Sequence, residues 1–182
     1  MGTLIRLEIR RVLRDPGFVI FAVLLPVALF LVFSNVFGGL AAGGVDTTTY
    51  LMISMAAYGG LTVALNVTGL VAHERRSGWN RQLRLTRLPG WGFVVSKAAV
   101  SMAVALPALA LVLLAGWATG ADPGGRWLPL LLVVWAGVLP FVAIGLLIGL
   151  LVSPEAQTGV STAVGLGLAV LGGLFVPVEV LP

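Results

Sequence analysis

The sequence is divided near its middle by one long basic segment, His73 to Lys97, which lies between extended apolar runs. This segment carries six Lys and Arg residues and a single acid, Glu74. Such a density of charge is too costly to bury in hydrocarbon, whereas the apolar runs beside it are long enough to cross a bilayer. The pattern predicts a loop between two membrane spans, and the positive-inside rule places residues 73–97 in the cytoplasm.

The composition is that of a membrane protein rather than a soluble one. Of the 182 residues, 59% are hydrophobic and 10% are charged, and the mean hydropathy is +1.07, whereas soluble domains carry roughly 25% charged residues. With no Cys and one His, the chain has neither a thiolate nucleophile nor a cluster of sulfur or imidazole ligands for a metal. The basic residues that give the net charge of +4 lie beside apolar spans. Anionic lipid therefore explains this charge better than a nucleic-acid partner does.

The N-terminal segment predicts an amphipathic helix that lies in the membrane interface. Arg6, Arg10 and Arg14 recur every four residues on one face, and apolar residues occupy another. Because Pro16 ends this helix, residues 1–17 are predicted to form a cytoplasmic interfacial helix and residues 18–182 the transmembrane domain. Spans are predicted at about 18–40, 50–72, 94–117, 128–152 and 159–176. The predicted fold class is therefore an all-α polytopic membrane protein with an N-terminal interfacial helix and five transmembrane helices.

The distribution of basic residues predicts the orientation of these spans. Ten of the 11 Lys and Arg residues lie in the N-terminal helix or in the basic segment, and only Arg126 falls on the other side. This asymmetry predicts a cytoplasmic N-terminus. Five spans then place the C-terminus outside.

The motifs that would indicate an enzyme are absent from the sequence. It contains no G-x-x-x-x-G-K-[ST], no H-E-x-x-H and no G-x-S-x-G, so it cannot hydrolyse ATP with a phosphate-binding loop of its own. No span contains the pair of acids that a proton relay or an aspartyl-type protease needs. A membrane-embedded enzyme is therefore a weak alternative, whereas a membrane scaffold that transports nothing stays open.

The basic segment contains a candidate docking helix at residues 78–88. Its apolar and basic positions are Trp79, Leu83, Arg81, Arg84 and Arg87. The two apolar residues are four apart and the arginines recur every three, which predicts a short amphipathic helix. An apolar edge beside a basic ridge suits either anionic lipid headgroups or a docking partner, and periodicity does not choose between them.

The second span contains a polar stripe, and the fourth contains a row of small residues. The stripe consists of Ser54, Tyr58, Thr62 and Asn66. Polar groups at membrane depth need partners or water, so this stripe is predicted to form interhelical hydrogen bonds, a subunit interface or a substrate path. The row consists of Gly145, Gly149 and Ser153, which predicts close helix packing.

Several segments, taken in order, resemble one family. Residues 11–33, RVLRDPGFVIFAVLLPVALFLVF, contain an Arg-Asp-Pro turn before a span that includes Pro26. The basic segment HERRSGWNRQLRLTRLPGWGFVVSK combines a Glu-Arg pair, a run of the type R-x-L-x-x-T-x-L-P and a Lys that opens the third span. Ser153, Pro154 and Glu155 form the turn before the fifth apolar segment. In order and spacing these patterns resemble ABC-2 type permeases, the membrane subunits of ABC exporters for drugs, lipids or polysaccharides.

The resemblance implies an exporter permease that works as a homodimer or heterodimer in the cell membrane, in contact with lipid. It also implies a separate ABC ATPase that binds ATP and Mg, so no cofactor is expected on this chain. The residues expected to couple to the ATPase are Glu74, Arg75, Arg76, Trp79, Arg81, Leu83, Arg84 and Arg87. The expected substrate path is Ser54, Tyr58, Thr62 and Asn66. The family normally has six spans, so a truncated permease remnant is a further alternative, and the substrate stays open among drug, lipid and glycan.

Overall fold

The computed structural model describes residues 2–37, 41–42, 45–78 and 90–174, and these residues are almost entirely helical. Apart from Gly78, the predicted docking helix at residues 78–88 lies outside the described residues. The coupling residues that fall there are Trp79, Arg81, Leu83, Arg84 and Arg87.

Helix α1 comprises Gly2–Leu13 and is separate from the first long apolar helix. The chain turns at Asp15, whose carboxylate accepts hydrogen bonds from the backbone N–H groups of Gly17 (3.0 Å) and Phe18 (3.3 Å). Pro16 follows at the start of the next helix, where its missing N–H leaves no bond unmade. The structure therefore has a helix where the sequence predicts one, while its position in a membrane interface stays a prediction.

The first long apolar helix, Pro16–Phe37, consists of α2 (Pro16–Val19), a π-helical turn (Ile20–Leu24) and α3 (Leu25–Phe37). The π turn stands just before Pro26, which has no N–H to donate to the carbonyl of Ala22 one α-helical turn earlier. Because one α-helical bond is missing there in any case, the wider π register costs less at this turn. Pro26 packs against Gly59, where a Cβ would lie only 3.3 Å from the proline ring.

Helix α4, Thr47–Arg76, is the central helix of the bundle. It follows two antiparallel two-residue strands, β1 (Ala41–Ala42) and β2 (Val45–Asp46). Asp46 caps it by accepting a hydrogen bond from the backbone N–H of Thr49 (3.2 Å). Its 30 residues correspond to a length of about 45 Å, enough for the hydrocarbon and headgroup layers together. In the most apolar 18-residue stretch of this helix, 72% is buried, a larger share than in the other long helices. The share is larger because the other helices pack around α4.

Helix α5, Gly90–Ala118, carries an exposed Trp near each end. The exposed fractions are 66% for Trp91 and 69% for Trp117, and the helical rise between them is about 39 Å. Trp is enriched at both water interfaces of membrane proteins, and this separation is close to the distance between those interfaces. The two ends of α5 therefore agree with the predicted third span.

The fourth predicted span is divided into α6 (Trp127–Ala136) and α7 (Leu139–Leu151). Pro140 has no N–H to donate to the carbonyl of Ala136, so the series of α-helical hydrogen bonds is interrupted there. Val138 stands at the break and is buried against α4, where a Cβ on Gly60 would lie 2.7 Å from its side chain.

The fifth predicted span, 159–176, corresponds to α8 (Pro154–Leu171), which begins earlier and is less apolar than expected. In the described part of the chain, four helical lengths are long and apolar enough to cross a membrane: Pro16–Phe37, Thr47–Arg76, Trp91–Ala118 and Trp127–Leu151. Helix α8 is not among them because its first turns carry Glu155, Gln157, Thr158, Ser161 and Thr162. The structure supports a polytopic membrane protein with four such helices, and residues 175–182 lie outside the described residues.

The predicted row of small residues on α7 is confirmed as a close helix contact for two of its members. A Cβ on Gly149 would lie 2.7 Å from the carbonyl oxygen of Thr68 on α4, and a Cβ on Gly145 would overlap the Thr68 hydroxyl. Ser153, the third member, instead precedes α8 and makes no side-chain cap.

Polar contacts join different helices at both ends of the bundle. At the first, which we name the basic end, Glu8, Glu74, Arg75, Arg76 and Lys97 form contacts between helices. At the opposite end, the backbone N–H of Asp122 donates to the Thr49 hydroxyl (3.2 Å) and the Tyr50 hydroxyl donates to the Gly173 carbonyl. Both sets of contacts join residues far apart in sequence, which fixes the antiparallel order of the long helices.

Candidate functional site

A large cavity, which we name the basic groove, opens between α1, the first long helix, α4 and α8. Its volume is about 1080 Å³, just above the roughly 300–1,000 Å³ that is usual for ligand pockets. Along α4 it extends from His73 to Tyr58, a rise of about 22 Å. This length along α4 is more than half of the roughly 30 Å hydrocarbon thickness of a bilayer.

The rim of the groove at the basic end is positively charged. Arg10 and Arg11 of α1 and Arg14, which follows the helix, line it, and all three are exposed. Among the described residues that line the groove, Asp15 is the one acid, and its Oδ1 already accepts two backbone hydrogen bonds at the start of α2. Three positive charges against one negative charge give this rim an excess of two.

One wall below the rim is apolar and is supplied by the first long helix. It includes Phe18, Phe21 and Leu25. Phe21 belongs to the π-helical turn and is 66% exposed. π-helical turns occur often at functional sites because they redirect side chains relative to a regular helix.

The facing wall on α4 contains three of the four residues of the predicted substrate path. Tyr58, Thr62 and Asn66 line the groove. The Thr62 hydroxyl donates to the Tyr58 carbonyl (2.8 Å) and the Asn66 amide donates to the Thr62 carbonyl (2.8 Å), so backbone oxygens of the same helix satisfy these donors. Ser54 is 4% exposed and does not line the groove, so the structure separates it from the other three.

Helix α8 supplies a second polar wall, which the sequence analysis missed. Gln157, Thr158 and Thr162 line the groove opposite α1. Gln157 is 4% exposed, donates to Ser161 (3.0 Å) and occupies the space that a side chain on Gly69 would need. The available signal was the run of polar residues at the start of the fifth apolar segment, where Gln157 and Ser161 are one helical turn apart.

Beside the groove, three charged residues join three helices. Lys97 of α5 donates to Glu8 of α1 (2.9 Å) and to Glu74 of α4 (2.6 Å). The Lys97 side chain is 3% exposed, against 17% for Glu8 and 13% for Glu74. The second carboxylate oxygen of each acid is buried and has no hydrogen-bond partner in the described structure.

These three residues border a second cavity of about 250 Å³. Arg11 and His73 also line it, and both also line the basic groove. A cavity of this size with polar walls is large enough for several water molecules, which can satisfy buried carboxylate oxygens. Glu8, Glu74 and Lys97, which we name the ion-pair cluster, therefore lie next to the rim of the groove.

The described members of the predicted coupling set contact their own chain. Glu74 pairs with Lys97, Arg75 donates to the carbonyls of Gly149 (3.4 Å) and Leu150 at the end of α7, and Arg76 pairs with Glu155. The Arg76–Glu155 pair is largely exposed, and such pairs contribute little stability. The last carbonyls of α7 have no backbone N–H partner within the helix, and Arg75 donates to two of them. These contacts attach the end of α4 to the turn between α7 and α8.

Comparison with known proteins gives two matches. A family profile described as "ABC-2 type transporter" matches residues 1–182. The chain is 28% identical over 178 residues to "Putative transport permease YvfS" of Bacillus subtilis (strain 168), with 96% of this chain and 73% of that protein covered. No solved structure matches. The region matched by the profile includes every residue of the basic groove and of the ion-pair cluster.

Proposed function

This chain belongs to the ABC-2 type transporter family, and from that premise we propose that it is the permease subunit of an ATP-driven exporter. A separate ABC ATPase, which carries the ATP and Mg, supplies the energy. The observation that carries this proposal is the continuity of α4. The helix lines the basic groove through Tyr58, Thr62 and Asn66 and ends at Arg76, within the loop proposed to meet the ATPase.

The ion-pair cluster supplies a route from that loop to the groove. Glu74 lies near the start of the loop and Lys97 at its end, so their contact closes the loop at its base. Glu8 extends the contact to α1, which carries Arg10 and Arg11 of the rim. A displacement of the loop would therefore move α1, α4 and α5 together and change the width of the groove. ATP binding would then act by favouring one of two arrangements of the same helices.

The residues proposed to contact the ATPase divide into two groups. Trp79, Arg81, Leu83, Arg84 and Arg87 would form the contact surface on the loop. Glu74, Arg75 and Arg76 would instead hold the first end of the loop to the bundle, because each has a partner on another helix. This division refines the coupling set predicted from the sequence.

The assembly proposed is a dimer of permease subunits in the cell membrane with the N-terminus in the cytoplasm. The second subunit is either another copy of this chain or a related one. The substrate path proposed is the basic groove, with Tyr58, Thr62 and Asn66 on its wall. The cargo then moves from the basic end toward the opposite face of the membrane.

The test is reconstitution with the partner ATPase in proteoliposomes, followed by ATP-dependent movement of labelled drugs, lipids and glycans. A Thr62→Trp variant places a large side chain in the groove and should reduce movement roughly tenfold or more, since blocking a path removes more than one contact's worth of binding energy. The matched control is Ala103→Trp, which adds the same side chain at an exposed position on α5. Failure of the chain to associate with any ABC ATPase, or equal transport by the two variants, would reject this function or this path respectively.

A further inference from the structure

We propose that the basic groove binds one molecule of an anionic amphiphile, with its phosphate or carboxylate headgroup at Arg10, Arg11 and Arg14. The apolar chain would lie along Phe21 and Leu25. This inference rests on the proposed function, because it names the substrate class for the same groove.

The first argument is the charge at the rim. Arg10 and Arg11 lie in the last turn of α1, Arg14 follows the helix in a turn where its backbone N–H donates to the Arg11 carbonyl (3.3 Å), and all three side chains line the groove. Because the three arginines fall within five consecutive residues and line one cavity, more than one guanidinium group can contact a single anionic headgroup. Arginine suits phosphate and carboxylate because its planar donors can form paired hydrogen bonds. Asp15 does not neutralise three arginines, and its Oδ1 is engaged by backbone N–H groups.

The second argument is the apolar length below the rim. Phe18, Phe21 and Leu25 line the groove on the side of the first long helix. An inorganic anion would fill only the rim and would leave this apolar surface exposed within the cavity. An acyl or prenyl chain would cover it and gain free energy for every apolar Å² removed from water. The combination of a cationic rim and an apolar wall therefore selects a molecule with both parts.

The third argument comes from the polar wall. Thr62, Asn66 and Thr162 each donate to a backbone carbonyl one turn earlier on their own helix. Their side-chain oxygens keep lone pairs that can accept hydrogen bonds. Such a wall below the rim suits a hydroxyl or amide N–H in the linkage between headgroup and chain. A cationic amphiphile would match the wall but would meet three arginines at the rim.

The experiment measures binding to the purified full chain in a non-ionic detergent by native mass spectrometry. The probes are phosphatidic acid, phosphatidylcholine with the same acyl chains, and inorganic phosphate. We expect phosphatidic acid to bind roughly tenfold or more tightly than phosphatidylcholine, because its phosphate charge is not compensated, whereas the choline cation of phosphatidylcholine would be repelled by the arginines. Equal binding of the two lipids would overturn the proposal without any variant.

Variants locate the binding site. Arg10→Gln with Arg14→Gln should abolish the preference for phosphatidic acid, whereas Arg10→Lys with Arg14→Lys should keep most of it. The matched control is Arg6→Gln, which removes the same charge one turn away on α1, outside the groove. If Arg6→Gln and the double Gln variant lose the preference equally, the arginines act as a diffuse charge and the proposal fails. If the double Gln variant does not fold, the Lys pair and the lipid comparison decide the result.

The remaining outcomes concern other occupants. Inorganic phosphate that displaces phosphatidic acid at comparable concentrations would show an anion site without an amphiphile, and a second copy of the chain that excludes the lipid would show a protein interface. Either result overturns the proposal. The assay contains no ATPase and no ATP. Lipid binding without ATP-driven transport would therefore reject the permease function alone, and transport without anionic preference would reject this substrate class alone.

Discussion

Lys97 is the residue on which the arrangement of the basic end most depends. It is the only lysine in the chain, its side chain is 3% exposed, and its ammonium contacts Glu8, Glu74 and, at 5.5 Å, the ring of Phe93. Two buried carboxylates without this cation would repel each other and would lose their main compensation for desolvation. A buried cluster of this kind contributes more to the relative positions of α1, α4 and α5 than to net stability.

Replacement of Lys97 by Met should destabilise the fold by up to about 3 kcal/mol, because it leaves two partly buried carboxylates without a cation. The measurement is the midpoint of thermal unfolding of the purified chain in detergent. Combining Lys97→Met with Glu8→Met and Glu74→Met should recover most of the loss, since an apolar cluster has no charge to desolvate. An unchanged midpoint for the single variant would contradict the burial of the cluster.

At the scale of elements, the fold depends on how closely α7 approaches α4. Gly149 of α7 faces the Thr68 carbonyl at a distance that leaves no room for a methyl group. Gly167 of α8 is also helical, but a Cβ there would meet nothing within 4 Å. The two glycines therefore have different roles, although both interrupt apolar helical sequence.

Substitution by Ala should separate these roles. Gly149→Ala should destabilise by about 1–3 kcal/mol because α7 would have to move away from α4. Gly167→Ala should be neutral or stabilising by up to about 1 kcal/mol, because Ala loses less backbone entropy in a helix. The free energy of unfolding, measured by denaturant titration with circular dichroism, distinguishes them. Equal effects at both positions would mean that the contact between α4 and α7 is not close.

The elements that the sequence predicts well are those governed by local properties. Pro16 predicts a separate α1 and hydropathy predicts five spans, of which the first four correspond to long apolar helices in the described structure, because span length and proline chemistry are properties of short windows. The break between α6 and α7 is less predictable, since Pro140 permits it but burial of Val138 against Gly60 fixes its place. The polar start of α8 lowers its hydropathy, and only tertiary packing explains why Gln157 is buried there.

The candidate site was predictable only in part, for geometric reasons. Residues four apart rotate by about 40° at each step around an α-helix, so Ser54 and Asn66 lie about 120° apart. Tyr58 and Leu70 have the same angular offset and both line the groove, so this drift alone does not exclude Ser54. Ser54 is separated from the groove because packing against other helices buries it to 4% exposure, which the sequence does not predict. Glu8 and Lys97 are 89 residues apart in sequence, so no local pattern links them. The one hint was that each is the only residue of its charge in its own helix.

At the scale of the whole molecule, the contacts at the two ends of the bundle divide the charges unequally. The basic end combines the ion-pair cluster, Arg75 and Arg76 with the arginines of α1, whereas the opposite end includes the turn that contains Asp122 and Arg126. Since basic residues are retained on the cytoplasmic side, this division predicts that the basic end faces the cytoplasm. An ATPase could reach the loop at residues 73–97 only in that orientation.

The absence of Cys makes this orientation directly measurable, because each introduced thiol is the only one in the chain. A membrane-impermeant maleimide should label Asp122→Cys in intact cells and Ser77→Cys only after the membrane is opened, since both positions are exposed but lie at opposite ends. Val104→Cys, at a fully buried position on α5, should stay unlabelled in both conditions, and its labelling would report unfolding. Labelling of Ser77→Cys in intact cells would place the basic end outside. The loop, the ion-pair cluster and the rim of the groove would then all be separated from cytoplasmic ATP, and the proposed coupling could not operate.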